Sequence, residues 1–215
     1  MVHPVVDNLN LVQNEVFLKS RTCKVIVISK TFQIDQISPL IDIGHLHFGE
    51  NKVQEAKDKW GVIKKYNKNI QLHMVGKLQS NKVKFAVHLF DYIHSLDNEK
   101  LAKKISVEQK KINKNLKIFI QVNIGDEKQK SGVHLDNLKD FYDTCCKKYF
   151  LNIIGLMCIP PKEIDVKSYF KKMSELNKSF GLKELSMGMS SDYLEAINFG
   201  ATYVRIGSKI FGSRS

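Results

Sequence analysis

At 215 residues, with 43% hydrophobic and 26% charged side chains, the chain has the make-up of a soluble globular protein able to bury a full core. No apolar run approaches the roughly 18 residues of a membrane span, and positions 1–10 lack the basic-then-apolar order of a secretory signal, so no membrane is expected and the location implied is cytoplasmic. The formal charge of +12 admits a nucleic-acid partner, but lysines such as Lys100, Lys103, Lys104, Lys110 and Lys111 are scattered among asparagines without arginine or aromatic company, and no nucleic acid is expected.

Taken in chain order, the pattern alternates. Positions 8–20 carry Leu9, Val12 and Val16 at helical spacing. Val25-Ile26-Val27-Ile28 is a run of β-branched residues with no polar alternation, which reads as a strand buried on both faces. It ends at Ser29-Lys30-Thr31 and so drives an amine to the end of a buried strand, where lost hydration lowers its basicity. A neutral amine is what Schiff-base chemistry needs. A helix is expected over 34–43, limited or bent by Pro39. A short strand follows over 45–49, then a helix opening at Glu50-Asn51 with Val53, Ala56 and Trp60 on one face.

The same alternation continues with strands over 72–76, 92–95, 118–124, 153–158, 185–189 and 202–207. Helices are expected between them over 80–87, 97–112, 136–149, 166–180 and 192–199, the last with Asp192 and Glu195 at capping-box spacing. Eight strands alternating with helices across short loops argue for parallel βαβ units closing into a single (β/α)8 TIM barrel that occupies the whole of 1–215. A doubly wound open sheet is disfavoured because no G-x-G-x-x-G follows the first strand. Cys23, Cys145, Cys146 and Cys158 have no C-x-x-C spacing, so neither a zinc site nor a disulfide framework is expected. His45, His47 and His73 lack a convergent set of ligands in sequence, and no metal is expected.

In such a barrel the site lies at the C-terminal strand ends. There the strands deliver Lys30, Glu50-Asn51, Gly76-Lys77, His94-Ser95, Asn123, Cys158, positions 186–190, and Arg205 with Gly207-Ser208. An aldehyde-reactive lysine, an arginine and a glycine-hydroxyl pair before a short helix suggest one ligand with a carbonyl and a phosphate.

The blocks Ser29-Lys30-Thr31, Phe48-Gly49-Glu50-Asn51, His73-Met74-Val75-Gly76, Gln121-Val122-Asn123-Ile124, Lys130-Ser131-Gly132, Leu185-Ser186-Met187-Gly188-Met189-Ser190 and Val204-Arg205-Ile206-Gly207-Ser208 occur in order along nearly the whole chain. In these the sequence resembles the pyridoxal phosphate homeostasis protein family. Two positions depart from the family, Lys77 where a small residue or histidine is usual and Gly125 where serine is commoner. The resemblance implies a barrel like the N-terminal domain of alanine racemase, with pyridoxal 5′-phosphate bound as an aldimine of Lys30. It also implies Ser186, Gly207 and Ser208 at the phosphate, Asn51 beside the ring and Arg205 at the pyridine nitrogen. It implies buffering or delivery of the cofactor, with apo pyridoxal-phosphate enzymes as receivers, and no catalytic residue. The alternative is a weak amino-acid racemase. That reading needs a second acid/base from a further β-domain, which is not expected in a chain read as ending at Ser215, and a monomer is expected. Lys130 is a candidate for a second, looser attachment of the cofactor.

Overall fold

Val25, Ile26 and Val27 are buried on both faces, as their unbroken β-branched run requires. They form the centre of β1 (Lys24–Ile28) in this computed structural model, which describes residues 3–127, 129–161 and 165–212. The strands that follow are β2 (His47–Glu50), β3 (Gln71–Met74), β4 (Tyr92–Leu96), β5 (Lys117–Val122), β6 (Ile153–Cys158), β7 (Glu184–Met189) and β8 (Tyr203–Ile206). All pair in parallel with their sequence neighbours, and β8 returns to β1 to close the barrel. The outer ring holds α1 (Pro4–Lys19) ahead of β1, then α2 (Ile34–Asp42), α3 (Val53–Tyr66), α4 (Val83–Leu89), α5 (Glu99–Lys111), α6 (Leu135–Asp143), α7 (Val166–Ser179), α8 (Tyr193–Asn198) and the short α9 (Ser208–Phe211). The (β/α)8 fold expected from the alternation is the fold observed. No helix of the described residues is long and apolar enough to cross a membrane.

Local differences have physical reasons. Pro39 does not stop α2, which runs on to Asp42. The carbonyl of Asp35, deprived of the amide that proline lacks, accepts from the Ser38 hydroxyl at 3.1 Å instead. The helix expected over 136–149 ends as α6 at Asp143 and passes into one wide π turn, Thr144–Lys148. Asp192 forms no capping box; its Oδ1 accepts from the Met189 amide at 2.6 Å and ties the end of β7 to α8.

The barrel interior departs from the aliphatic layers usual in this fold. Ile26, Tyr92, Phe119, Met157 and Tyr203 make an inner cluster separate from the shell between strands and helices. Tyr203 on β8 donates to the hydroxyl of Tyr92 on β4 at 3.4 Å, a contact that two non-adjacent strands can make only through the interior. Above and beside these rings lie three imidazoles in hydrogen-bond contact. His47 Nδ1 and His73 Nε2 are 3.0 Å apart, and His73 Nδ1 and His94 Nε2 are 2.9 Å apart. Register makes the series climb. His73 pairs with Gly49, two residues beyond His47, and with Tyr92, two residues before His94. Each step is therefore offset by two residues along the strand direction, and the ring centroids lie 5.3 and 5.1 Å apart.

Gly155 shows how closely β6 and β7 approach, because a Cβ there would lie 1.9 Å from the Glu184 carbonyl oxygen. Gly155→Ala must push two backbones apart, and we expect a loss of about 3 kcal/mol or more, read as a lowered urea midpoint. The histidines predict a pH dependence. Burial lowers the pKa of His45 to about 4 and, with help from His45 and from Lys24 and Lys117, that of His47 to about 4. Burial likewise holds His73 and His94 well below the ordinary 6.5, with neighbouring imidazoles adding for His73 and Arg205 adding for His94. The unfolded chain restores these groups to their ordinary value, so unfolding takes up protons below about pH 6.5. Stability is then full above that pH and falls as pH drops toward about 4, each proton contributing a slope of about 1.4 kcal/mol per pH unit. Urea unfolding between about pH 6.5 and about pH 5 should show more than the one-proton slope; a smaller slope would contradict neutral buried imidazoles.

Candidate functional site

Ser29-Lys30-Thr31-Phe32 is a turn beyond the end of β1, closed by the Phe32 amide on the Ser29 carbonyl at 3.2 Å. Lys30 thus stands two residues past the strand rather than at its last position. Thr31 has φ of 69°, a left-handed conformation that a β-branched residue adopts only when its surroundings impose it. The imposing group is a buried network on β2 and α3. Glu50, with no exposed surface, accepts on Oε1 from the Ser29 hydroxyl at 2.7 Å, Lys59 Nζ at 2.9 Å and Trp60 Nε1 at 2.9 Å. Lys59 also donates to the Ser29 carbonyl at 2.7 Å and to Glu55 at 3.2 Å, and Glu55 accepts from the Thr31 amide. The turn that carries Lys30 is held by hydrogen bonds on both sides of it.

Lys30 lines a cavity of about 1000 Å³ at the C-terminal mouth, with Asn51, Asn123, Ser190, Arg205 and Ser208 among its walls. Asn51 is set there by a close approach. A Cβ on Gly76 would lie 2.4 Å from the Asn51 carbonyl oxygen, so only glycine lets the β3 end run against the β2 end. Asn123 ties its own loop, donating to the Glu127 carbonyl at 3.0 Å and accepting from the Glu127 amide at 3.3 Å. Arg205 is buried, and its guanidinium donates to Ser186 Oγ at 2.8 Å and to the Cys158 carbonyl at 2.9 Å. Burial lowers its pKa from the usual arginine value, opposed by Cys158 and Asp192. Burial likewise pushes the Cys158 thiol up to about 12, which leaves it an inert neutral group beside the site.

The walls have one sign of charge. Lys30, Lys77, Lys130, Arg205 and Lys209 line the cavity, and no aspartate or glutamate does so among the described residues. Lys130 is paired with Glu127 at 2.6 Å. The Ser208 and Lys209 amides begin α9 and have no earlier carbonyl in that helix to bond. Those amides, the Ser208 hydroxyl and Ser190 Oγ, which accepts from the Gly207 amide at 3.4 Å, form the polar end of the cavity.

Of the six residues expected at the site, Lys30, Asn51, Arg205, Gly207 and Ser208 meet around this one cavity. Ser186 does not reach it. It is fully buried in mid-β7, and its hydroxyl is shared between Arg205 and His94 Nδ1 at 2.9 Å. The serine that reaches the cavity from this strand is Ser190, just past the end of β7. The strand boundary carried that signal, since Ser190 follows the last residue of β7 whereas Ser186 lies within the strand. Glu50 and Lys59 had no sequence signal as a pair, because their connection to Lys30 runs through space.

The alanine racemase N-terminal domain family matches residues 5–215. A pyridoxal phosphate homeostasis protein of Aquifex aeolicus is 38% identical over 200 residues, covering 89% of this chain and 87% of that one. The protein of the same name from Escherichia coli K12 is 32% identical over 229 residues, covering 99% of this chain and 98% of that one. The structure of PipY from Synechococcus elongatus with pyridoxal phosphate bound superposes with a TM-score of 0.88 at 29% identity, over 97% of this chain and all of that one. With matching fold, full-length coverage and a cationic cavity at the strand ends, the chain belongs to the pyridoxal phosphate homeostasis protein family, built on the alanine racemase N-terminal barrel.

Proposed function

We propose that this protein binds pyridoxal 5′-phosphate in the upper cavity, tethered through Lys30, and buffers it or hands it on to apo-enzymes that use it. The observation that carries this reading is the lining of the cavity, where four cations and, among the described residues, no acid join the Lys30 amine on its held turn. An anionic aldehyde matches that set, and the residues present fit the group. Ser208, Gly207 and Ser190 with the first amides of α9 would take the phosphate, Lys30 the aldehyde carbon, Asn51 the ring edge and Arg205 the pyridine nitrogen. When bound, the cofactor supplies an aldehyde that condenses reversibly with an amine.

The surrounding residues favour holding over turning over. Arg205 is a donor-only cation fixed by Ser186 and the Cys158 carbonyl, and it disfavours a proton on any basic nitrogen facing it. An unprotonated pyridine nitrogen is a poor electron sink. Racemisation requires a proton acceptor on each side of the substrate carbon. Among the described residues no tyrosine, histidine or carboxylate lines the cavity opposite Lys30. Relatives carrying the name homeostasis protein accord with a carrier role. A monomer suffices for it, since all the proposed contacts come from one chain.

Borohydride reduction of the loaded protein followed by peptide mapping should place the pyridoxyl group on Lys30. A label on Lys130 with none on Lys30 would overturn the assignment. Lys30→Ala should abolish the absorption band of the bound aldehyde. Ser208→Ala should weaken pyridoxal phosphate by about tenfold, the effect of one lost hydrogen bond to a charged group, and leave binding of phosphate-free pyridoxal within about twofold. Racemisation of several amino acids at a rate well above that of Lys30→Ala would favour the enzyme reading.

A further inference from the structure

A continuous line of hydrogen bonds joins the floor of the upper cavity to a second cavity at the opposite mouth of the barrel. The lower cavity has a volume of about 510 Å³ and is lined by Gln13, Arg21, Lys24, His45 and His47 among others. From the top, Arg205 Nη1 donates to Ser186 Oγ at 2.8 Å, and Ser186 Oγ lies 2.9 Å from His94 Nδ1. His94 Nε2 meets His73 Nδ1 at 2.9 Å, and His73 Nε2 meets His47 Nδ1 at 3.0 Å. The line crosses from β8 through β7, β4 and β3 to β2.

Donor chemistry dictates its direction. A guanidinium only donates, so Ser186 Oγ must accept from Arg205. That hydroxyl has one proton and no other acceptor for it among the described residues, so the arrangement that satisfies it donates to His94 Nδ1. His94 is buried against Arg205, and His73 is buried between two other imidazoles, so both are neutral. A neutral ring whose Nδ1 accepts carries its proton on Nε2. His94 therefore donates to His73, His73 donates to His47, and the His47 proton stands on Nε2. Burial first, then His45, Lys24 and Lys117, keep His47 neutral as well, against the opposing pull of Asp91.

We propose that His94, backed by His73 and His47, is a positioning residue for Arg205. A wire of one fixed polarity keeps Ser186 an acceptor for the guanidinium and couples the cofactor-facing arginine to the lower cavity. The proposal rests on the cofactor reading above for its ligand readout only. The tautomers are a property of the chain alone.

Two measurements test it. Nitrogen-15 NMR of the histidine-labelled, ligand-free protein at neutral pH should find His47, His73 and His94 neutral and protonated on Nε2. Any of the three protonated on Nδ1, or cationic, overturns the wire. In the second, His94→Phe keeps the ring and its stack on Phe119, whose centroid lies 4.3 Å away, but removes the acceptor. His94→Asn restores an acceptor oxygen near the place of Nδ1. Pyridoxal phosphate should bind His94→Phe about tenfold more weakly, and His94→Asn within about twofold of the natural protein. The pH at which the absorption band changes should shift in His94→Phe and return in His94→Asn. Equal affinity and an equal spectral pH profile in His94→Phe and the natural protein would refute the positioning role. If the natural protein itself failed to take up pyridoxal phosphate, the cofactor reading would fall, and the NMR result would decide the wire alone.

Discussion

One carboxylate oxygen, Glu50 Oε1, ties together the three elements on which the site depends. It accepts from Ser29 after β1, from Lys59 and from Trp60 on α3, while Glu50 itself ends β2. The group has no exposed surface, and an unpaired carboxylate there would cost several kcal/mol of lost hydration. Its partners are therefore not interchangeable. A surface ion pair of the same geometry contributes about 0 to 1 kcal/mol, whereas breaking a buried pair costs about 3 to 5 kcal/mol. The left-handed Thr31 is affordable only beside such an anchor, and the direction of Lys30 follows from the turn that Thr31 completes.

The same physics governs the barrel axis. Layers of branched aliphatic residues would be the simpler filling. Here the interior carries imidazoles, phenols, a serine and a guanidinium, and the groups buried between the two cavities must find partners within the protein. Burial resolves the conflict by keeping the imidazoles neutral, which allows them to act as both donor and acceptor. Arg205 is the fixed point, since it remains a donor whatever surrounds it. The polarity of the whole interior line follows from that one residue.

The cavity inherits its charge from positions far apart in sequence. Lys30, Lys77, Lys130 and Lys209 follow four different strands, and the barrel brings them to one mouth whose lining holds no acid among the described residues. A net charge of +12 spread over the chain says little by itself; the concentration of one sign around a concave wall selects an anionic ligand.

Strand and helix order was legible because the periods are strong. The unbroken run at Val25 and the stripe through Val166, Tyr169, Phe170 and Met173 leave little choice of element, and eight such alternations close readily into a barrel. The motif blocks singled out Lys30, Asn51, Arg205, Gly207 and Ser208, and all five line one cavity because they lie at or near the ends of strands that share a mouth. Ser186 lies outside the cavity lining and bonds Arg205 and His94 instead, a placement that nothing local in the sequence distinguishes from one at the mouth. The Glu50 network and the histidine line were out of reach for the same reason. Hydrogen bonds between Glu50 and Ser29, or between His94 and Ser186, join residues that only strand register brings together. Periodicity and motif decided which elements form and which lysine follows the first strand. Tertiary structure decided which polar groups share a proton, because that depends on distances of about 3 Å between strands remote in the chain.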